Sequence, residues 1–92
     1  MLALALFFAL AVDESVTCYT MQGCGPCEQL KADYRSDPDL FGDRKVRFVD
    51  VRKERTPGIR VVPTLVLSKD GAEVKRTTGY GGKEDLQKWL ED

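Results

Sequence analysis

The sequence predicts an α/β domain in which a mixed central sheet is flanked by helices. A first strand is predicted at Val16–Thr20, where β-branched and aromatic residues follow one another without a breaker. Good helix formers fill Glu28–Tyr34, directly after Cys24-Gly25-Pro26-Cys27. An apolar run that opens at Pro63 fits a buried strand, because the first residue of a strand need not donate to the ladder.

Three further segments complete this α/β pattern. Val46–Val51 alternates in the manner of a strand with one apolar face. Leu65–Ser68 and Glu73–Thr78 predict a hairpin, since the Asp-Gly pair between them is a strong turn signal. Lys83–Leu90 predicts a closing helix with Leu86, Trp89 and Leu90 on a shared apolar face. The predicted order of elements is therefore βαββα.

The cysteine pair stands where the first helix is predicted to begin. Unpaired backbone N–H groups and the positive end of the helix dipole lie at a helix start. A cysteine in that place has its thiolate favoured over its thiol, and the thiolate is the nucleophile. Cys27 would lie deeper on the same face, and Pro26 in the first turn removes no hydrogen bond that the helix needs. The pattern predicts a dithiol redox motif with Cys24 as its nucleophile.

A zinc site and a structural disulfide are the alternatives for this pair. Zinc normally takes four Cys or His ligands, whereas the chain has 3 Cys and no His. A disulfide across so short a loop would contribute only about 2 kcal/mol on the chain-entropy model. Redox chemistry explains the motif better, and neither a metal nor another cofactor is expected.

The combination of Cys24-Gly25-Pro26-Cys27 with the downstream strand Val62-Pro63-Thr64 resembles the thioredoxin family. The resemblance covers about residues 15–92 and implies a thioredoxin-like fold of minimal, glutaredoxin-like size. It implies a cis Val62–Pro63 bond, with Pro63 facing the cysteines and the Val62 backbone pairing with the substrate chain. The site residues implied are the catalytic, disulfide-forming Cys24 and Cys27, and the motif and substrate-groove residues Gly25, Pro26, Val62 and Pro63.

Three features of the sequence depart from the family pattern. Gly23 precedes the first cysteine, where thioredoxins usually carry tryptophan. Cys18 stands where the family tends to bury an aspartate that shuttles a proton, so deprotonation of Cys27 should depend on water or another group. Fourteen residues separate Phe48 from Pro63, which predicts a second helix shortened to little more than one turn.

Composition indicates one ordinary globular domain of 92 residues, 42% of them hydrophobic and 32% charged. The formal net charge of −1 argues against a nucleic-acid partner. The basic cluster Arg52-Lys53-Glu54-Arg55 is interpreted as a solvated loop, with a partner-docking surface as the alternative. Cys18 is expected to be a buried, inert thiol, because reactive thiols need exposure and positive surroundings.

Residues 1–14 form a separate apolar segment before the domain at 15–92. As a helix, Leu2–Val12 would span about 16 Å, against a hydrocarbon core of about 30 Å. It resembles the hydrophobic part of a signal peptide, and Ala9-Leu10-Ala11 fits a cleavage pattern, but no Lys or Arg precedes it. We expect an element packed on the core in a cytoplasmic protein; the alternative is a targeting or membrane-contacting segment of an exported or membrane-associated one.

The family resemblance implies a monomeric protein dithiol–disulfide oxidoreductase. Its partners would be disulfide-containing proteins and a thioredoxin-reductase-like flavoprotein that supplies electrons. A glutathione-dependent glutaredoxin is one alternative, because Gly81-Gly82 before Asp85 is similar to that family's glutathione site, although Gly25-Pro26 departs from its usual motif. A thioredoxin-fold module that docks onto a partner without redox turnover is the other.

Overall fold

In the computed structural model, which describes residues 12–92, four strands form one mixed sheet and two helices pack on it. The strand order is β2-β1-β3-β4, with β1 parallel to β2 and antiparallel to β3, and β3 antiparallel to β4. The predicted order of strands and helices is confirmed. The elements are β1 Glu14–Thr20, α1 Gly25–Ser36, β2 Lys45–Asp50, β3 Thr64–Lys69, β4 Ala72–Thr78 and α2 Lys83–Glu91.

The connections follow from the strand directions. Two parallel strands need a long crossover, and α1 supplies it between β1 and β2. The antiparallel β3 and β4 are instead joined by Asp70 and Gly71 alone, with φ of 51° and 85°. Positive φ at both central residues is what a type I′ turn requires, and its twist matches that of the strands.

One face of the sheet carries the hydrophobic core. Alternation along β1 turns its even-numbered residues to this face, and both helices contribute leucines to the same cluster. Tyr34 packs at its edge between the rings of Phe41 and Phe48, each with centroids 5.7 Å away. The buried members are Val16, Cys18, Leu30, Leu40, Phe41, Leu65, Leu67, Leu86 and Leu90.

The second face of the sheet is mostly polar. The strand register places Arg47, Thr17, Val66 and Arg76 in one row across all four strands. Arg47 forms an ion pair with Glu54, and the Arg76 guanidinium binds both carboxylate oxygens of Glu73. Val66 in this row is nevertheless buried, at 8% exposure.

The connection between β2 and β3 is a loop that begins with a single turn. The N–H groups of Lys53 and Glu54 both donate to the carbonyl of Asp50, at 3.0 and 3.2 Å. Residues 51–63 contain no helix. The family's second helix is therefore shortened, as predicted, and what stands in its place is a single hydrogen-bonded turn followed by irregular chain.

A hydrogen bond ties α1 to the segment before α2. The Tyr80 hydroxyl donates to Asp33 Oδ2 at 2.5 Å and holds the pKa of that carboxyl below its usual value of 3.8. Burial, with this hydrogen bond, raises the pKa of Tyr80. Because the Asp33 pKa is lowered on folding, its contribution to stability is present above the usual carboxyl pKa and is lost as pH falls through the lowered one.

The apolar N-terminal run lies outside the described residues as far as Ala11, and both interpretations of it stay predictions. Val12, where the described chain begins, is exposed. Among the helices of residues 12–92, neither is long and apolar enough to cross a membrane.

Deletion of residues 1–11 distinguishes the two interpretations. A targeting segment predicts an unchanged melting temperature after truncation. The packed element that we expect should instead lower the free energy of unfolding by several kcal/mol, at about 1.5–3 kcal/mol for each large side chain buried, less the entropy of ordering the segment. Thermal and urea unfolding of both chains measure this. A clear loss of stability on truncation would support packing.

Candidate redox site

Cys24 and Cys27 form a disulfide at the N-terminus of α1, with their Cα atoms 5.2 Å apart. Cys24 is the N-cap residue, in extended conformation at φ −87° and ψ 115°. Its Sγ accepts a hydrogen bond from the N–H of Cys27 at 3.3 Å, which satisfies one N–H group of the first turn. Pro26 occupies that first turn, as the motif predicts.

This placement makes the two sulfurs unequal. After reduction, negative charge on Cys24 would be stabilised by the Cys27 N–H and by the positive end of the α1 dipole. Cys24 is half-buried at the surface, whereas Cys27 is fully buried. Access and electrostatics therefore both favour Cys24 as the sulfur that meets a substrate.

The second predicted motif lies beside the first. The carbonyl oxygen of Val62 is 3.9 Å from Cys24 Sγ, although the two residues are 38 positions apart. The Val62–Pro63 peptide bond is cis, the isomer that the resemblance implied, and Pro63 is fully buried. Because β3 begins only at Thr64, Val62 stands outside the ladder of the sheet at the rim of the site.

Gly25 and Pro26 complete the set of predicted site residues. Both are exposed at the start of α1, next to the disulfide. All six predicted site residues therefore come together at one edge of the sheet, with Cys27 and Pro63 beneath the surface and the others at it.

The structure shows the surroundings of Cys18 and Gly23, the two residues that depart from the family pattern. Cys18 is 0% exposed in the middle of β1, and burial raises the pKa of its thiol to about 12. It is thus protonated at neutral pH and is no substitute for a proton-accepting carboxylate. Gly23 has φ of +86°, a conformation that tryptophan or any other L residue rarely adopts.

An apolar cleft beside Val62 was missed by the sequence analysis. It has a volume of about 370 Å³ and lies where β1 and β2 end. The signal available in the sequence was the series of apolar residues just beyond the predicted strand ends. The lining residues are Met21, Val51, Ile59, Arg60, Val61 and Val62.

Among residues 12–92, no group of three His, Cys, Asp or Glu side chains is arranged to hold a metal ion.

Comparison with known proteins agrees with this geometry. The family model of the thioredoxin-like domain matches residues 12–92. The chain belongs to the thioredoxin-like family. It is similar to the thioredoxin of Alicyclobacillus acidocaldarius subsp. acidocaldarius, with 33% identity over 75 residues that cover 75% of this chain and 70% of that protein.

A second relative is much longer than this domain. The chloroplastic F-type thioredoxin of Brassica napus is 36% identical over 63 residues, which are 63% of this chain and 35% of that protein. The chain thus spans about a third of the length of this F-type relative.

Two solved structures share the fold of this thioredoxin-like domain. A mutant thioredoxin from Halobacterium salinarum NRC-1 superposes with a TM-score of 0.74 at 29% identity, covering 86% of this chain and 73% of that one. A thioredoxin f2 complex with ferredoxin:thioredoxin reductase gives a TM-score of 0.72, also at 29% identity, over 95% of this chain and 83% of the matched chain.

Alkylation of the reduced protein tests the difference between the three thiols. We expect iodoacetamide near neutral pH to modify Cys24 rapidly, because its thiolate is stabilised and reachable, and to modify the buried Cys27 and Cys18 slowly. Peptide mapping after timed quenching gives the three rates. Cys18 should react quickly only in denaturant, and equal rates for all three thiols in the folded protein would contradict the assignment.

Proposed function

We propose that this protein reduces disulfide bonds in other proteins, using Cys24 and Cys27 as a dithiol. The observation that carries the proposal is the disulfide at the start of α1, in which the Cys27 N–H donates to Cys24 Sγ. That hydrogen bond would stabilise the form of Cys24 that attacks sulfur. The thioredoxins among the relatives support the same activity.

The reaction has two exchanges of sulfur partners. The Cys24 thiolate attacks one sulfur of the substrate disulfide, a mixed disulfide forms, and the other substrate sulfur leaves as a thiolate that takes up a proton from water. Cys27 then loses its proton and attacks Cys24 Sγ, which forms the Cys24–Cys27 bond and releases the second substrate thiolate. Two electrons pass from the dithiol to the substrate.

The second exchange depends on removal of the Cys27 proton. Cys27 is fully buried, and the thiol at Cys18 does not accept a proton at neutral pH because burial raises its pKa to about 12. We propose that water reaching the disulfide edge takes this proton. The step is then slower than it would be with a buried carboxylate at position 18.

The rim of the site is proposed to hold the substrate chain. Val62 lies outside the sheet ladder and next to Cys24 Sγ, which supports pairing of its backbone with an extended segment that carries the target disulfide. Gly25 and Pro26 flank the reactive sulfur on the other side and, being exposed, would also contact that segment.

We propose that a reductase of the thioredoxin-reductase class, a flavoprotein, returns electrons to the Cys24–Cys27 disulfide. A structurally similar chain, thioredoxin f2, is found in complex with ferredoxin:thioredoxin reductase. That complex supports a reductase as the kind of partner. We also propose that the protein is cytoplasmic and monomeric. The role of residues 1–11 decides between this proposal and an exported or membrane-contacting protein.

A glutathione-dependent activity is the second candidate. Gly81 lies against the Asp85 carboxylate, so closely that a side chain at this position would collide with it. Gly82 is the N-cap residue of α2 without a side-chain cap. The first turn of α2 thus lacks a side-chain cap, and the ground for this candidate is the similarity of Gly81-Gly82 before Asp85 to the glutathione site of glutaredoxins.

An insulin-reduction assay with different electron donors separates these candidates. We expect turnover with dithiothreitol and with NADPH plus thioredoxin reductase, and little with glutathione plus glutathione reductase, because the motif is that of a thioredoxin. Precipitation of the insulin B chain reports the rate. Turnover with glutathione alone would favour the glutaredoxin alternative, and no turnover with any donor would favour a docking module without redox activity.

Replacement of each cysteine tests the two roles separately. We expect Cys24→Ser to abolish disulfide reduction, because the first attack is lost, while the circular dichroism spectrum stays unchanged. Cys27→Ser should instead trap mixed disulfides with substrates, since the first exchange survives and the second does not. Non-reducing electrophoresis detects the trapped species. Trapping by the Cys24 variant in place of the Cys27 variant would reverse the assignment.

A further inference from the structure

The loop that replaces the family's second helix concentrates positive charge beside the disulfide. Residues 51–62 contain four cationic side chains and a single carboxylate, that of Glu54. Glu54 is already paired with Arg47, at 3.3 Å. The cations are Arg52, Lys53, Arg55 and Arg60, all of them exposed.

These cations differ from the others near this edge of the sheet. Arg47 and Arg76 on the second face are each neutralised by a glutamate. Within residues 12–92, none of the four loop cations forms an ion pair. The carboxylate just before the loop, Asp50, accepts a hydrogen bond from the backbone N–H of Arg52 at 2.8 Å. The loop is therefore a local excess of positive charge on a chain whose net charge is −1.

The charged loop also forms one wall of the apolar cleft. Val51 opens the loop, Ile59 and Val61 lie near its end, and all three line the cleft, as does the cationic Arg60. Val61 is 51% exposed, a large apolar side chain at the surface next to Val62. An extended substrate paired with Val62 would therefore place a side chain in the cleft and its neighbours against Arg60 and the loop that carries the other three cations.

The wall of the cleft is held in place by hydrogen bonds. The Thr64 hydroxyl donates to the carbonyl of Val61 at 2.7 Å, and the Arg76 guanidinium donates to the carbonyl of Gly58 at 3.3 Å. At the other end, the Val51 N–H donates to the carbonyl of Thr20 at 3.0 Å. The cleft thus exists before a substrate arrives, so little ordering is needed on binding.

We propose that this cleft and the four cations of the loop select acidic substrate segments: an extended chain with an apolar side chain beside the target cysteine and carboxylates around it. The inference rests on the proposed disulfide reductase activity and adds a substrate class to it. Unpaired cations at a docking edge attract carboxylates during encounter and stabilise the bound complex at low ionic strength. The apolar cleft then fixes which residue lies against Cys24.

Peptide disulfides of opposite charge test the selection. Each peptide has a central Val-Cys whose cysteine is linked to mercaptoethanol, flanked by glutamates in one peptide and by lysines in the other; the pre-reduced protein supplies both electrons. We expect the acidic peptide to be reduced about tenfold faster at low salt. This ratio should shrink at high salt, where charges are screened.

Matched variants locate the effect. Lys53→Gln with Arg55→Gln removes one lysine and one arginine from the loop and should lower the acidic-to-basic rate ratio about threefold. Arg35→Gln with Lys88→Gln removes the same charges from the helices and should keep the wild-type ratio. An equal loss in both double variants would show an effect of net charge alone and overturn the proposal.

The apolar part of the site is tested in the same way. Val61→Ser should slow reduction of the acidic peptide, whereas Val74→Ser, at a similarly exposed valine on β4, should not. Slowing by both variants, or by neither, would contradict a role for the cleft.

Two measurements separate failure of this inference from failure of the proposed function. Hydroxyethyl disulfide is small and neutral, and its reduction reports the dithiol chemistry alone. If it is reduced while both peptides react equally, the acidic selection is wrong and the reductase activity stands. If it is not reduced, binding of the acidic peptide with serine in place of cysteine still tests the surface, through salt-dependent shifts of the Val61 and Val62 amide signals; their absence would overturn the inference as well.

Discussion

The pairing of β1 with a parallel strand on one side and an antiparallel strand on the other determines where chemistry can occur. Because β1 and β2 run in the same direction, both end at one edge of the sheet, and the antiparallel β3 begins at that edge. The segment after β1 carries Cys24, and the segment before β3 carries Val62, so the two motifs meet there. The directions of the three strands alone therefore bring the two motifs to the same edge of the sheet.

Within that edge, α1 gives the two cysteines different properties. The helix begins at Gly25, so Cys24 is its cap and points at free N–H groups, while Cys27 lies one turn further on against the core. The same disulfide therefore has one sulfur suited to attack and one protected from solvent. Cys18, on the core face of β1, shows the contrast: with no helix start and no solvent nearby, burial raises the pKa of its thiol and leaves it inert.

The elements and the pair of motifs were predictable from sequence because their signals are local. Alternation along Val46–Val51, the Asp-Gly turn and the apolar face of Lys83–Leu90 each indicate an element by themselves, and the structure contains all three. The cysteine pair likewise needs only its position at a helix start. The meeting of Cys24 with Val62 came from family resemblance, since no local signal links residues 38 positions apart.

The cleft and the role of the loop were not predictable in the same way. Val51, Ile59 and Val61 lie on an irregular stretch to which neither the strand nor the helix period applies, and only the folded path of residues 51–62 brings them together. The basic cluster was interpreted as a solvated loop because Glu54 interrupts it. In the structure Glu54 is paired with Arg47 from β2, so it neutralises its partner on the sheet and leaves the loop cations uncompensated.

A net charge of −1 therefore says little about which partners this domain attracts. Electrostatic interactions between exposed groups act over about 8–10 Å at physiological ionic strength, a distance shorter than the domain itself. The acidic residues of α2, which are Glu84, Asp85 and Glu91, lie on a different element from the loop that flanks the disulfide. Arg60 lines the cleft together with Val62, whose carbonyl oxygen is 3.9 Å from Cys24 Sγ. Selection among protein substrates depends instead on the charges within a Debye length of the reactive sulfur.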